Sequence, residues 1–124
     1  MPDREIVWVS SSLRDLKDTP EAVQNAVGYA LDLAQRDKEA AYAEPMRGPL
    51  RGVTAIHADD ETGKSTYRTT YTATLDDTIY VLDTFQKKTK KKGVETPAMD
   101  LERIVGRLKQ AKEIHEKSKR QRNP

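Results

Sequence analysis

The alternation of hydrophobic and polar positions predicts a short strand followed by two helices in the first third of the chain. Residues 6–9 are β-branched or aromatic and stand between charged residues and three serines, which is typical of a strand. Ser12 is expected to cap a short helix that extends to Lys17, and Thr19-Pro20 predicts the start of a longer helix. Apolar residues then recur at helical spacing through about residue 35, so this helix packs by one apolar stripe.

The middle of the chain predicts a loop and then three strands. Residues 37–52 contain two prolines and two glycines, which favour a long surface loop. Residues 53–58, 65–75 and 79–86 are rich in Val, Ile, Thr, Tyr and Phe. Because the connections between them are short, we expect neighbouring strands to be antiparallel.

The last third predicts an amphipathic helix. Thr96-Pro97 repeats the earlier start signal, and apolar positions recur from Leu101 to Ile114. Residues 117–124 have no apolar side chain and are expected to form a frayed basic tail. The predicted fold is α+β: a small antiparallel sheet with two N-terminal helices and a C-terminal helix, all packed on one face. Residues 1–124 are expected to form a single domain.

Composition narrows the possible chemistry. The chain has no cysteine, and its two histidines, His57 and His115, cannot by themselves supply a metal centre, so neither a metal nor a cofactor is predicted. No long apolar run is present, and the acidic opening lacks the apolar stretch of a signal peptide. We therefore expect a cytoplasmic protein that does not bind a membrane.

The net charge of +2 hides an uneven distribution. Residues 85–124 carry 13 Lys and Arg against 5 Asp and Glu, a net of +8, which leaves 9 against 15, a net of −6, for residues 1–84. A localised basic region is typical of a surface that contacts phosphates, where counterion release supplies much of the affinity.

Five lysines follow the last predicted strand. Lys87 and Lys88 leave the end of the sheet directly, so we interpret them as functional residues aimed by the fold. Lys90, Lys91 and Lys92 either bind phosphates or form a solvated basic loop, and both interpretations stay open.

An arginine and a histidine are the other candidates. Arg68 alternates away from Tyr67 and Tyr71, on a face of its strand with small hydroxyl side chains. Its guanidinium either makes a two-pronged contact with a phosphate or forms a cross-strand ion pair with a carboxylate. His57, in the preceding strand, could act as an acid or base, whereas His115 is interpreted as an ordinary helix-terminal residue.

Several motifs together resemble a known superfamily. Gly28-Tyr29-Ala30-Leu31, Leu50-Arg51-Gly52-Val53 and Tyr67-Arg68-Thr69-Thr70-Tyr71 contribute to the resemblance, and the most specific segment is Tyr80-Val81-Leu82-Asp83-Thr84-Phe85-Gln86-Lys87-Lys88-Thr89. With the final helix, these segments resemble the phage-derived, HigB-like branch of the RelE/ParE toxin superfamily from about Trp8 to Lys112.

The resemblance implies a RelE-like fold and a ribosome-dependent endoribonuclease that cleaves messenger RNA. It implies a helix-turn-helix, HigA-like antitoxin as partner, besides the ribosome and the message. Arg68, Lys87 and Lys88 match the catalytic motif residues of the superfamily, and Arg51, Lys90, Lys91 and Lys92 are the expected RNA-binding residues.

The chain departs from the superfamily pattern at two positions. Relatives often carry a glutamate where this chain has Ala55, and a histidine where it has Asp83, so His57 is the residue that could replace the missing histidine. A second class of function also stays open, a non-catalytic binding module of the same fold. It would be a ParE-like gyrase inhibitor or a degenerate phage-encoded protein.

Overall fold

The structure, a computed structural model, describes residues 3–87 and 98–122. In chain order the elements are β1 (Glu5–Trp8), α1 (Ser12–Lys17), α2 (Glu21–Gln35), β2 (Ala43–Pro45), a 3-10 turn (Gly48–Leu50), β3 (Val53–Asp59), β4 (Thr66–Leu75), β5 (Thr78–Gln86) and α3 (Ala98–Arg122). The predicted α+β class, with two N-terminal helices and one C-terminal helix, is confirmed.

The five strands form one sheet in the order β1-β5-β4-β3-β2. The antiparallel meander β3-β4-β5 is confirmed. The sheet as a whole is mixed, because β1 runs parallel to β5, with Ile6 opposite Ile79 and Trp8 opposite Val81. The helices α1 and α2 lie between β1 and the rest of the sheet in the chain, which gives the long connection that a parallel neighbour requires.

The expectation of an unbroken loop over residues 37–52 is wrong. β2 lies within it and pairs antiparallel with β3, with Glu44 opposite Ala55. The strand has only three residues and ends in Pro45, which has no N–H to donate and is therefore tolerated at a sheet edge. A 3-10 turn follows before β3 begins.

The helices cover both faces of the sheet, so the prediction that all of them pack on one face is wrong. One core cluster joins α1 and α2 to the sheet and includes Val27, Ile56 and Val81. A second cluster lies under α3 and includes Leu82 and Ile104. Strand β5 is apolar at consecutive positions, and such a run is typical of a strand that is buried on both sides.

The alternation of side chains between the two faces of β4 holds only in part. Tyr67, Tyr71 and Ala73 pack in the core with α2, but Leu75 packs in the cluster under α3. The register between β4 and β5 shifts between Thr72 and Leu75, where β4 has one more residue than its partner. A bulge of this kind reverses which face the following side chains occupy.

The hydroxyls near the starts of α1 and α2 differ from the predicted caps. Ser12 is the first residue of α1, and its buried hydroxyl donates to the carbonyl of Val81 at 3.1 Å. Pro20 occupies the N-cap position of α2, while the hydroxyl of Thr19 donates back to the carbonyl of Leu16 at 2.7 Å. Ser12 therefore joins α1 to the sheet instead of capping the helix.

The end of α3 is held to the sheet by a buried histidine. His115 is only 5% exposed, and its Nδ1 lies 2.9 Å from the hydroxyl oxygen of Tyr80. Its Nε2 lies 2.6 Å from a carboxylate oxygen of Asp76, which can only accept, so Nε2 donates this hydrogen bond. Interpreting His115 as an ordinary helix-terminal residue is wrong, and the helix continues to Arg122 through most of the tail expected to fray.

We expect the substitution His115→Ala to lower the free energy of unfolding by about 2–4 kcal/mol, because it removes two hydrogen bonds and opens a buried cavity. Urea unfolding followed by circular dichroism measures the loss. The matched control is His57→Ala, whose side chain is partly exposed at 27% and should cost clearly less. Equal losses for the two variants would contradict an anchoring role for His115.

Candidate active site

A cleft of about 680 Å³ lies where β2, β3 and β4 meet the 3-10 turn and the beginning of α3. Its lining residues come from these five elements and from the link between β2 and the turn: Glu44, Pro45, Met46, Arg47, Gly48, Pro49, Leu50, Ala55, His57, Arg68 and Leu101. Charged and ionisable groups from three neighbouring strands thus share one depression with apolar walls.

The sheet register brings two of the predicted site residues side by side. His57 on β3 stands directly opposite Arg68 on β4, and both side chains line the cleft. Ala55, two residues before His57, lines the same cleft on the same face of β3. Because His57 and Arg68 project from adjacent strands of a fixed sheet, their spacing is set by backbone hydrogen bonds.

His57 has a carboxylate partner. Its Nε2 lies 3.0 Å from Oε1 of Glu44, whose side chain is 67% exposed at the edge of the sheet. Burial lowers the pKa of His57 below its usual value of 6.5, and the charges of Arg68 and Lys87 lower it further, while Glu44 acts in the opposite direction. The imidazole is therefore neutral at pH 7 and able to accept a proton.

Arg68 forms part of the buried wall of the cleft, with 5% of its surface exposed. Burial lowers the pKa of the guanidinium, and the carboxylates of Glu44 and Asp100 oppose that effect. Its register neighbours are His57 on one side and Phe85 on the other. A cation held at this depth acts through a low effective dielectric and interacts strongly with any anion that enters.

Lys87 follows β5 directly, and its backbone N–H donates to the carbonyl of Thr66 at 2.7 Å. That hydrogen bond extends the ladder between β4 and β5 by one residue, so the backbone of Lys87 is held by the sheet as predicted. Its charge is close enough to lower the pKa of His57. The other predicted lysines, Lys88, Lys90, Lys91 and Lys92, lie outside the described residues.

Arg51 stands apart from this group. It is exposed, follows the 3-10 turn, and is not among the residues that line the cleft. Arg47, which directly precedes the turn, lines the cleft instead. Glu44 and Arg47 are cleft residues that the sequence analysis missed. Both come from the segment expected to be a loop, where no register could be assigned and no chemical motif stands out.

Asp83 has a structural environment of its own. Its carboxylate is almost fully buried and lies 2.8 Å from Arg103 and 2.9 Å from Arg107, both on α3. Arg103 also contacts Asp100, and Arg107 donates to the carbonyl of Leu82. At this position the chain therefore uses a carboxylate to attach α3 to the sheet.

The part of the chain that the structure describes holds neither a cluster of metal ligands nor a membrane-spanning helix. Within residues 3–87 and 98–122, no three His, Cys, Asp or Glu side chains come together as a metal ion would require. In the same ranges, no helix is both long enough and apolar enough to cross a membrane.

Comparison with known proteins gives a family match. The model of the family described as Phage derived protein Gp49-like (DUF891) matches residues 14–109 of the chain, which is more than half of its length. No curated protein matches the sequence significantly. Among solved structures, the chain is similar to the toxin-antitoxin complex RelBE2 from Mycobacterium tuberculosis, with 20% identity, a TM-score of 0.46, and coverage of 70% of this chain and 94% of the other.

We expect the pKa of His57 to lie below 6.5 in the folded protein, and to rise when Arg68 is replaced by Gln. The substitution removes a nearby positive charge that disfavours the protonated imidazole. Histidine ring signals followed by NMR across pH measure both values. Arg51→Gln removes the same charge from an exposed site outside the cleft and should leave the titration unchanged. An unchanged His57 titration in Arg68→Gln would show that the two groups do not interact.

Proposed function

The chain belongs to the family of Gp49-like phage-derived proteins, and from that premise we propose that it is the toxin of a toxin-antitoxin pair. The recognition of a phage-derived family from its sequence motifs is confirmed. The activity we propose is cleavage of messenger RNA on the ribosome. The observation that carries this proposal is that His57 and Arg68 face each other across β3 and β4 in one cleft.

RNA cleavage by internal transfer makes three chemical demands. A base must remove the proton of the 2′-hydroxyl, a cation must stabilise the charge on the five-coordinate phosphorus, and an acid must protonate the departing 5′-oxygen. The bond from the 2′-oxygen to phosphorus forms as the bond from phosphorus to the 5′-oxygen breaks, which leaves a cyclic phosphate and a 5′-hydroxyl. The reaction needs no cofactor.

The residues of the cleft can be assigned to these demands. His57 is neutral at pH 7 and accepts the proton of the 2′-hydroxyl, because burial and two nearby cations lower its pKa. Arg68 stabilises the phosphorane charge and cannot serve as the base, since a guanidinium stays protonated. Lys87, which follows β5, carries an ammonium group that gives the departing 5′-oxygen its proton, and Lys88 is assigned to the same catalytic group from the sequence motif.

Binding of the RNA strand is assigned to the basic residues around this cleft. Lys90, Lys91 and Lys92 follow the two catalytic lysines in sequence and supply phosphate contacts, with Arg51 as a more distant one. Arg47 lines the cleft and joins this group. Such contacts carry little base information, so the ribosome supplies the position of the message and much of the orientation.

The proposed protein partner is a helix-turn-helix, HigA-like antitoxin that covers the basic region. Residues 85–124 carry a net charge of +8, which an acidic segment would complement and thereby accelerate capture. Covering these residues would block RNA binding at the same time. The proposed compartment for the binding of antitoxin and ribosome is the cytoplasm.

The substitution Arg68→Lys tests the catalytic assignment. Lysine keeps the charge but loses the planar two-pronged contact, so cleavage should fall by about 10²- to 10³-fold while ribosome association stays nearly intact. Primer extension on cellular messages and growth after induction measure the effect. The control Arg14→Lys makes the same exchange at an exposed position of α1, away from the cleft, and should remain toxic.

If Arg68→Lys is as toxic as the parent and cuts at the same sites, Arg68 is a structural residue of the strand. If the parent protein binds ribosomes or another target but cuts no message, the chain is a non-catalytic binding module instead.

Co-expression with the product of the neighbouring reading frame tests the partner. We expect a stable complex that survives purification and that weakens as ionic strength rises, because part of the attraction comes from exposed charges. Size-exclusion chromatography at low and high salt measures it. The toxin-antitoxin assignment fails if that gene product shows no affinity for the protein.

A further inference from the structure

Glu44 reaches the cleft from the edge strand of the sheet. It stands opposite Ala55 in the β2–β3 ladder, and its carboxylate lies 3.0 Å from Nε2 of His57. Ala55 is buried and carries only a methyl group, which cannot contact the imidazole as the longer Glu44 side chain does. A carboxylate in this cleft therefore comes from β2 and not from the strand that carries His57.

The backbone on both sides of Glu44 is fixed by hydrogen bonds. The N–H of His57 donates to the carbonyl of Tyr42 at 3.0 Å, and the N–H of Met46 donates to the carbonyl of Val53 at 2.8 Å. Pro45 follows Glu44 directly and limits its backbone to extended conformations. Only the side-chain torsions of Glu44 remain to be ordered, so the carboxylate is aimed by the strand.

We propose that Glu44 is a positioning residue for His57, and that it holds the imidazole with the proton on Nε2 and the basic lone pair on Nδ1. The inference rests on the proposed function, since it names the group that prepares the base for RNA cleavage. An ionised carboxylate only accepts hydrogen bonds, so a 3.0 Å contact with Nε2 requires that nitrogen to donate. In neutral imidazole the other nitrogen is then the acceptor.

Charged groups from every neighbouring strand act on this imidazole. Glu44 on β2 favours the protonated form, while Arg68 on β4 and Lys87 after β5 disfavour it. Asp100 on α3 acts on Arg68. Glu44 therefore opposes the two cations and keeps His57 basic enough to accept a proton, besides orienting it. The arrangement is that of a carboxylate behind a histidine, in which the carboxylate fixes the tautomer and raises the basicity of the ring.

The substitution Glu44→Gln tests the inference, because glutamine keeps the length of the side chain and removes the charge. In NMR titrations of the free protein, the pKa of His57 should fall below the wild-type value. In cleavage assays, the acid limb of the pH–rate profile should move to lower pH by the same amount. The plateau rate should fall about 10- to 100-fold, the range typical of groups that orient a functional histidine.

Two further variants separate positioning from general structure. Glu44→Asp keeps the charge and should restore part of the wild-type titration, because an aspartate can still approach the ring. Glu21→Gln removes the same charge from an exposed position at the start of α2, and should leave the titration and the profile unchanged.

The titration arm is independent of activity. A pKa of His57 that is the same in Glu44→Gln and in the wild type overturns the inference, whatever the cleavage assays show. If the wild type cleaves no RNA, the proposed function fails, and the titration still decides whether Glu44 sets the proton on His57. A changed titration with an unmoved acid limb also overturns the positioning role, because His57 would then not be the base.

Discussion

The position of α3 depends on the ion pairs that the buried carboxylate of Asp83 makes with this helix. The carboxylate lies within 3 Å of two arginines of that helix, and 1% of the residue is exposed. Removing a charge from water costs several kcal/mol, so a carboxylate at this depth is tolerated only because Arg103 and Arg107 compensate it. Removing either arginine would leave the buried Asp83 carboxylate with less compensation, which is why such a network holds its elements in one arrangement.

The cleft follows from that attachment. Leu101 lies two residues, about half a turn, before Arg103 on α3 and forms part of the cleft wall, packing beside the cluster that includes Leu82. The helix thus covers the face of β4 from which Arg68 projects. Because Arg68 is buried there, the effective dielectric around its guanidinium is low. The ion pairs of Asp83 and one wall of the cleft therefore depend on the same helix.

Local patterns were sufficient to predict most helices and strands but not the face on which each packs. Hydrophobic period identified α2, β3, β4 and β5, because each is long enough for its pattern to be read. β2 has three residues and a proline, so it shows no period and exists only through its pairing with β3. The continuous apolar run of β5 was the available signal that both faces of the sheet are covered.

The candidate site was predictable by residue type and not by contact. Arg68 and His57 stand out in the sequence, but their meeting depends on a register that two strands alone decide. No sequence pattern marked Glu44 as a site residue, because a glutamate in a predicted loop is common. Its role depends on the pairing of β2 with β3, which the sequence did not predict. His115 was misjudged for a related reason: its partners, Tyr80 and Asp76, lie more than 30 residues away in the chain.

The distribution of charge also has a different meaning once the contacts are known. The net +8 of residues 85–124 includes Arg103 and Arg107, whose guanidinium groups are engaged with Asp83 and are therefore not available to phosphates. Lys119 lies 3.9 Å from the carboxylate of Asp76, so part of its charge is also compensated. Net charge consequently overstates the basic surface that α3 offers.

Part of the charge of residues 85–124 acts on the cleft. Of the basic residues in that region, Lys87 stands at the end of β5 and acts on His57, and four more lysines follow within five residues of sequence. Under the proposed function, an RNA strand that contacts Lys87 would lie beside His57 and Arg68. The proposed function thus places phosphate attraction and cleavage at the same end of β3, β4 and β5, an arrangement that a protein which only binds would not require.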